Sequence, residues 1–137
     1  MPNLRELKVG DAEKLKPLFK ILTGKEILID DASLVADTNA VCLVFEEEGE
    51  LIGFGSLIFH KVPTKGDIAR LEDIVIGDNN QGKGLGRTLV LRLIEIAKER
   101  KIKAINLTSN PMRVAAQKLY ESVGFIKGNT DTFTMTF

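Results

Sequence analysis

Residues 71–100, LEDIVIGDNNQGKGLGRTLVLRLIEIAKER, decide the fold because they join a strand to a helix through a glycine-rich turn. From Leu85 onward, apolar residues recur every three to four positions around most of the surface, so we expect a helix that is largely buried against a sheet. The start of a helix has unpaired N–H groups and a partial positive charge, and both attract phosphate. We therefore predict a phosphate-binding turn in which the N–H groups of Leu85 to Thr88 face the ligand.

The turn fits two nucleotide-binding patterns only in part. Gly77, Gly82 and Lys83 match the phosphate loop G-x-x-x-x-G-K-[ST], but Gly84 stands where a hydroxyl must bind magnesium. Gly82 and Gly84 match the start of the dinucleotide pattern G-x-G-x-x-G, but Arg87 occupies the position of the third glycine. Two interpretations remain: a cradle for another pyrophosphate compound, aided by Lys83 and Arg87, or a turn whose glycines serve only tight packing.

Three apolar runs before the turn are separated by short glycine-containing segments, and they predict an antiparallel meander. Their bounds are 40–47, 51–62 and 67–77. A loose strand at 3–8 and two helices precede the meander. The first helix follows Gly10-Asp11, ends at Gly24, and is either kinked by Pro17 or begins after it. The second helix is short and lies near 33–36.

After the long helix, the pattern predicts a short strand at 103–109 and a helix over 111–123, with Pro111 in its first turn and Gly124 as its stop. Two closing strands are predicted at 125–128 and 132–137. This order of elements is neither strictly alternating nor segregated. It predicts an α+β fold whose mixed sheet has helices on both faces.

Length, charge and cysteine content exclude several classes of protein. The 137 residues are about the size of one domain, so we expect a single domain over 1–137. The 19 basic and 19 acidic residues cancel, so no overall field draws the chain to nucleic acid or to an anionic membrane. No window resembles a membrane span, and we expect a cytoplasmic protein. Cys42, the one cysteine, lies within AVCLVF, which predicts a buried strand residue and excludes a cysteine zinc site within one chain.

The hexapeptide QGKGLG, residues 81–86, fits the pattern Q/R-x-x-G-x-G/A with which GNAT N-acetyltransferases bind coenzyme A. The order of elements also resembles that family over nearly the whole chain, most closely at 71–125. LEDIVIGDNNQGKGLGRTLV and LYESVGF are most similar to the glucosamine-6-phosphate N-acetyltransferase branch, whereas the first 40 residues carry no match. The resemblance implies a mostly antiparallel sheet that is splayed between two strands, with acetyl-CoA as co-substrate and no metal.

The resemblance further implies that acetyl-CoA crosses the turn and inserts its pantetheine arm between the strands at 71–77 and 104–109. Backbone groups from Asp73 to Ile76 would pair with the pantetheine amides as an added strand does, and an N–H near Ile74 or Val75 would polarise the thioester carbonyl. The predicted cofactor-binding residues are Ile74, Val75, Ile76, Gln81, Gly82, Lys83, Gly84, Leu85, Gly86, Arg87, Thr88, Asn110 and Arg113.

Three side chains are candidates for proton transfer. An amine with a pKa of about 10 arrives protonated, so a proton must be removed before it attacks. Glu72 and Asp73 are adjacent, and because neighbours on a strand point to opposite faces, we expect only one of them to face the cleft. Similarity to the sugar-phosphate enzymes favours Glu72 as base or orienting group, with Asp73 or a water as alternatives. Tyr120 resembles the family tyrosine that donates a hydrogen bond to the departing thiolate, and it also suits a core position.

These features predict an N-acetyltransferase that moves acetyl directly from acetyl-CoA to a primary amine, since no activated nucleophile for an acyl-enzyme is visible. We expect a small-molecule acceptor, with an amino sugar phosphate as one candidate. Two alternatives stay open: acetylation of protein amino termini or lysines, and a non-catalytic coenzyme A-binding sensor. His60 is either a surface residue or part of the acceptor site. The alternating segment 130–137 offers a strand for pairing across a homodimer.

Overall fold

A five-stranded sheet forms the centre of the computed structural model, which describes residues 2–137. The strands lie in the order β1-β2-β3-β4-β5, with the first three pairings antiparallel and the last one parallel. Their bounds are β1 Asn3–Glu6, β2 Ala40–Glu47, β3 Glu50–Val62, β4 Gly66–Ile76 and β5 Ile105–Asn106. The predicted meander is confirmed, with bounds that differ by no more than one residue.

The α-helices among residues 2–137 cover both faces of this sheet. Their bounds are α1 Ala12–Thr23, α2 Asp31–Ala36, α3 Leu85–Glu99 and α4 Val114–Ser122. Pro17 lies inside α1, so this helix does not begin after the proline. Pro111 precedes α4 instead of occupying its first turn, because a separate turn between Asn110 and Arg113 comes before the helix. No helix within the described range is long and apolar enough to cross a membrane.

Buried side chains form two clusters, one on each face of the sheet. The α3-side core joins the central strands to α3 and α4, and the α1-side core joins the opposite face to α1. The buried members of the α3-side core are Val41, Leu43, Phe45, Leu57, Ala69, Leu71, Ile74, Leu89, Val90, Leu93, Ala97 and Tyr120. Those of the α1-side core are Leu7, Leu15, Leu18, Cys42, Val44, Leu51, Phe54 and Val75. The predicted α+β fold with helices on both faces is confirmed.

Burial on both faces explains why β2 is apolar at consecutive positions. Val41, Leu43 and Phe45 enter the α3-side core, while Cys42 and Val44 enter the α1-side core. Cys42 is thus the buried strand residue that its sequence context predicts. Burial raises the pKa of its thiol to about 11, so the thiol is protonated and a poor nucleophile at neutral pH.

The parallel pairing between β4 and β5 is very short. Its register pairs are Ala69–Ile105 and Arg70–Asn106, whereas β4 continues to Ile76. The strand predicted at 103–109 is correspondingly reduced to two residues. Beyond Arg70, the edge of β4 that faces β5 has no strand partner among the described residues. The two strands therefore open a cleft.

Residues 125–137 contain no strand, so the two predicted closing strands are wrong. Phe133, Met135 and Phe137 are highly exposed, although they alternate as a strand pattern requires. Alternation is a local tendency, but a strand forms only where a neighbouring edge supplies its hydrogen bonds. Pairing of this segment with a second subunit stays a prediction.

An ion-pair cluster joins β1 and β2 to the start of α1. The guanidinium of Arg5 donates to both carboxylate oxygens of Asp11, at 2.8 and 3.0 Å, and to Glu46 Oε2 at 3.2 Å. The N–H of Lys8 donates to Asp11 Oδ2 at 2.9 Å. Asp11 is buried, and its hydrogen bonds with Arg5 are the main reason that its pKa is lowered. The cluster therefore stabilises the folded state through an ionised carboxylate.

We expect Asp11→Asn to lower the free energy of unfolding by about 3 kcal/mol at neutral pH, because Arg5 loses its main counter-charge. The folded-state pKa of Asp11 lies below the unfolded value of about 3.9. The stabilisation is therefore fully present above about pH 4, and it disappears as the pH falls through the lowered pKa. Denaturant unfolding of both proteins across this pH range measures the difference.

Asp67→Asn is the matched control for this measurement. Asp67 pairs with Lys61 at the surface, where both side chains are well exposed and such pairs contribute about 0–1 kcal/mol. Equal stability of Asp11→Asn and the natural sequence at neutral pH would contradict a stabilising role for the cluster.

Candidate functional site

An open cavity of about 610 Å³ lies where the unpaired part of β4 meets the start of α3, one face of α4 and the end of α1. Glycines expose only backbone at the α3 end, while β4 and α4 contribute mostly apolar side chains. This combination suits a long ligand with an apolar arm and an anionic end. The lining residues are Ile21, Leu22, Ile74, Val75, Ile76, Asn80, Gln81, Gly82, Gly84, Leu85, Gly86, Arg87, Arg113, Ala115, Ala116, Leu119 and Tyr120.

The glycine-rich turn between β4 and α3 bends the chain sharply. Gly82 and Gly84 both have φ of +80°, a left-handed conformation that glycine adopts without side-chain strain. Gln81 Nε2 donates to the carbonyl of Ile76 at 3.1 Å, which ties the turn to the end of the strand. Gly84 is the N-cap of α3. The turn thus brings the start of this helix to the cavity.

The first turn of a helix contains N–H groups that have no partner within the helix. Thr88 is already past this region, because its N–H donates to the carbonyl of Gly84 at 3.1 Å. The Thr88 hydroxyl donates to the same carbonyl, also at 3.1 Å. The prediction that Thr88 offers a free N–H is therefore wrong. Leu85, Gly86 and Arg87 precede it and line the cavity, where the positive end of the helix favours an anion.

A bulge interrupts β4 at Asp73. The register pairs Phe54 with Val75 and Ser56 with Glu72, so one residue of β3 faces two residues of β4 between these pairs. Asp73 has φ of +56°, which identifies it as the residue that departs from regular strand geometry. Non-glycine residues rarely adopt this conformation and do so where the surrounding structure holds them.

Gly55 faces the bulge from β3 and permits close packing there. An added Cβ at position 55 would lie 2.7 Å from Ile74 Cδ1 and 3.0 Å from Leu89 Cδ2. Leu71 and Ile74 both enter the α3-side core although two residues separate them. Regular alternation is therefore absent here, and it was the only reason to expect that Glu72 and Asp73 point to opposite faces.

The two acidic residues directly precede the part of β4 that lines the cavity. Arg70 Nε donates to Glu72 Oε1 at 2.9 Å, and the hydroxyl of Ser56 donates to the carbonyl of Glu72 at 2.9 Å. Partial desolvation raises the pKa of Asp73 although its side chain is exposed, and the negative charge of Glu72 adds to this effect. Asp73 therefore accepts a proton more readily than an ordinary aspartate does.

Tyr120 lies in the cavity wall with 8% of its surface exposed. Its ring packs edge-to-face against Phe125, with 5.9 Å between the ring centroids. Burial raises the pKa of the phenol, and the charge of Arg113 partly offsets that rise. Within residues 2–137 the hydroxyl makes no hydrogen bond, so it is available to a ligand.

The cavity wall contains most of the predicted cofactor residues but leaves out Lys83, Thr88 and Asn110. Asn110 Oδ1 accepts a hydrogen bond from the N–H of Met112 at 2.8 Å, which shapes the turn before α4. Arg87 does line the cavity, but its Nη1 donates to Ser122 Oγ at 2.7 Å and links α3 to α4. His60 is exposed on β3 and is not part of the wall.

Sequence reasoning missed the contribution of α1 and most of that of α4 to the cavity. The residues missed are Ile21, Leu22, Asn80, Ala115, Ala116 and Leu119. The sequence does carry a signal for Ile21, because this residue is apolar and lies beside the stripe that contains Leu15 and Leu18; in the structure it is 43% exposed. An apolar residue next to such a stripe is consistent with a second, partly covered contact surface.

Residues 10–125 match the acetyltransferase (GNAT) family. The match includes the glycine-rich turn, the bulge at Asp73 and Tyr120. It also includes most of the first 40 residues, for which sequence inspection found no match.

Several relatives of known name are acetyltransferases. The mycothiol acetyltransferase of Renibacterium salmoninarum is 32% identical over 115 residues, which are 80% of this chain and 34% of that protein. The streptothricin acetyltransferase of Escherichia coli is 31% identical over 110 residues, 80% of this chain and 59% of that protein. The glucosamine 6-phosphate N-acetyltransferase of Trypanosoma brucei brucei is 29% identical over 108 residues, 76% of this chain and 71% of that protein. The chain thus spans less than two thirds of the length of the first two.

Solved structures share the fold along the whole chain. A transcriptional regulator from Bacillus halodurans C-125 superimposes with a TM-score of 0.87 at 26% identity, and the match covers 100% of both chains. A predicted acetyltransferase from Clostridium acetobutylicum, solved with acetyl-CoA, has a TM-score of 0.77 at 24% identity and covers 100% of this chain and 96% of that one.

Proposed function

Because the chain belongs to the acetyltransferase (GNAT) family, we propose that it transfers the acetyl group of acetyl-CoA to a primary amine of a small molecule. One observation carries the proposal: a single cavity connects the start of α3, the unpaired edge of β4 and Tyr120. An anion site, a row of backbone amides and a weak acid are the groups that this reaction requires.

In this proposal each part of acetyl-CoA has its own place in the cavity. The pyrophosphate lies at the first turn of α3, where Leu85, Gly86 and Arg87 offer N–H groups. The pantetheine arm runs along Ile74 to Ile76, where β4 lacks a strand partner and its backbone can pair with amides. The acyl end then lies toward the bulge. Glu72 and Asp73 directly precede the residues of β4 that line the cavity, although neither is itself part of the cavity wall.

The transfer forms a C–N bond and an S–H bond, and it breaks a C–S bond and an N–H bond. The neutral amine attacks the thioester carbonyl, the new C–N bond forms, and the C–S bond breaks to release the thiol of coenzyme A. The hydroxyl of Tyr120 donates to the departing sulfur, a role for which its unpaired hydroxyl in the cavity wall is suited. A backbone N–H near Ile74 or Val75 stabilises the negative charge that develops on the carbonyl oxygen.

We assign the removal of the amine proton to Asp73 and the orientation of the amine to Glu72. The raised pKa of Asp73 brings this carboxylate closer to the range in which a base works near neutral pH. Glu72 is fixed by its ion pair with Arg70, which suits a group that holds the ammonium in place. Similarity to the sugar-phosphate enzymes favoured Glu72 as base or orienting group. This assignment instead gives the role of base to Asp73.

The relatives do not identify which small amine is the acceptor. A mycothiol, a streptothricin and a glucosamine 6-phosphate acetyltransferase differ in acceptor, yet their identities to this chain are within a few per cent of one another. An amino sugar phosphate is therefore one candidate among several. A coenzyme A-binding sensor is the second candidate function, and the similarity to a transcriptional regulator over the whole chain favours it.

Thiol release from acetyl-CoA over a panel of primary amines tests the activity. We expect release that depends on at least one small amine and yields its N-acetyl product in equal amount, as mass spectrometry can verify. Tight binding of acetyl-CoA without turnover on any amine or peptide would instead support the sensor.

We expect Tyr120→Phe to lower kcat by at least about tenfold with little change in the affinity for acetyl-CoA, because it removes the proton donor and keeps the ring. Steady-state thiol release and calorimetric titration measure these two quantities. Phe125→Leu is the control for packing, since it weakens the contact with the ring and keeps the hydroxyl. An unchanged kcat in Tyr120→Phe would remove the tyrosine from the chemistry.

We expect Gly86→Val to abolish measurable binding of acetyl-CoA while the protein stays folded. An added Cβ meets Leu119 Cδ2 at 3.5 Å and Ile76 Cγ1 at 3.7 Å, which are ordinary contacts, but the further methyl groups occupy the cavity. Gly84 is a poorer test because its φ of +80° makes any side chain strained. Gly86→Ala is the intermediate control, because it adds only one methyl group.

Melting curves with and without acetyl-CoA provide the measurement, because a bound ligand raises Tm. The natural protein should show the shift, Gly86→Ala a smaller one, and Gly86→Val none at an unchanged Tm of the free protein. A normal shift in Gly86→Val would place the pyrophosphate elsewhere.

A further inference from the structure

We infer that Arg70 is a specificity residue that binds an anionic group, a carboxylate or a phosphate, on the amine acceptor. The inference deepens the proposed function and rests on it. It names the class of acceptor: small amines that carry a negative charge close to the reacting nitrogen.

Arg70 stands at the point where the two splayed strands separate. Its partner in the β4–β5 register is Asn106, and this is the last register pair before the cleft opens. Two residues further along β4, Glu72 faces the same side and accepts a hydrogen bond from Arg70 Nε at 2.9 Å. Arg70 therefore lies beside Glu72, the carboxylate to which the proposed function assigns the orientation of the ammonium group.

The guanidinium of Arg70 is only partly used by the protein. Nε is bonded to Glu72, whereas Nη1 and Nη2 make no hydrogen bond or ion pair within residues 2–137. Arg5 shows the contrast, because its Nε, Nη1 and Nη2 all donate to Asp11, Glu46 or a backbone carbonyl. The side chain of Arg70 is also 37% exposed, whereas that of Arg5 is 17% exposed.

The geometry of these free groups favours an anion with two oxygens. A guanidinium presents its N–H groups as a planar fork, and carboxylates and phosphates accept two parallel hydrogen bonds from such a fork. Because Glu72 already accepts a hydrogen bond from Nε, the fork formed by the Nη atoms has a preferred direction before the acceptor arrives. A preorganised fork loses less entropy on binding than a free arginine does.

The charges around Arg70 complement an acceptor that carries both signs. Glu72 and Asp73 together carry two negative charges in their ionised forms, and they attract the ammonium group of the acceptor. Arg70 supplies the positive charge that a nearby carboxylate or phosphate requires. An amine without an anionic group would interact only with Glu72 and Asp73, so it should bind less well.

Steady-state kinetics with matched acceptor pairs test the inference. One pair is an amino acid and its amide, and the other is an amino sugar phosphate and the amino sugar. Each pair differs only in the anionic group, and comparison of the two pairs tells a carboxylate from a phosphate. The assays use the full chain at saturating acetyl-CoA, with Arg70→Gln, Arg70→Lys and the control Arg92→Gln, which alters an arginine paired with Glu95 and Glu99 on the surface of α3.

We expect the natural protein to favour the anionic member of at least one pair by about tenfold or more in kcat/KM. Arg70→Gln should remove this preference through KM for the acceptor, with KM for acetyl-CoA nearly unchanged. A smaller fall in kcat should affect both members of a pair alike, because Glu72 also loses its ion pair with Arg70. Arg70→Lys should keep part of the preference, because a point charge remains after the fork is lost. Arg92→Gln should behave as the natural protein does.

Two results would overturn the inference and leave the proposed function intact. One is thiol release with amines in the absence of any preference for anionic acceptors. The other is an equal loss of activity with both members of a pair in Arg70→Gln, which would show that Arg70 only positions Glu72. Failure of the proposed function looks different, because no amine would then release thiol, and this inference would fall with it.

Discussion

The early end of the pairing between β4 and β5 is the constraint on which the rest of the structure depends. Ala69–Ile105 and Arg70–Asn106 hold the two strands in parallel before they separate. Beyond these pairs, β4 continues with one edge free, and its backbone groups need hydrogen bonds from another source. A ligand that contains amides is the natural complement of such an edge. The cavity and the access to the bulge both follow from this separation.

Two departures from regular backbone geometry lie on either side of the unpaired part of β4. The glycine-rich turn, with Gly82 and Gly84 in the left-handed region, directs the start of α3 toward one end of the cavity. The bulge at Asp73 interrupts alternation at the other end, and Gly55 leaves space for the packing behind it. The start of α3 and the pair of carboxylates are thus separated by the length of a short strand segment, which is the spacing that the proposed transfer uses.

The same helix that completes the α1-side core also closes the cavity. Leu15 and Leu18 are buried in that core, while Ile21 and Leu22 reach the cavity wall. The contacts of Asp11 with Arg5 attach the start of this helix to the sheet. Helix α1 therefore contributes both to the stability of the fold and to the shape of the cavity. The sequence predicts this helix and its apolar face, but a periodic pattern does not show which surfaces that face meets.

The sequence by itself determined the meander, the position of helix α3, the glycine-rich turn and the family, because hydrophobic period and glycine placement are local properties. The expectation that α3 is largely buried was wrong, because only Leu89, Val90, Leu93 and Ala97 are buried and Leu91 is 42% exposed. The sequence did not determine the bulge at Asp73, the two-residue length of β5, or the hydrogen bond that occupies the N–H of Thr88. It also did not determine that residues 125–137 contain no strand. Each of these depends on which backbone groups find partners far away in the chain. Strand pairing is a non-local competition for hydrogen bonds, so only the tertiary structure decided where β4 pairs and where it stays free for a ligand.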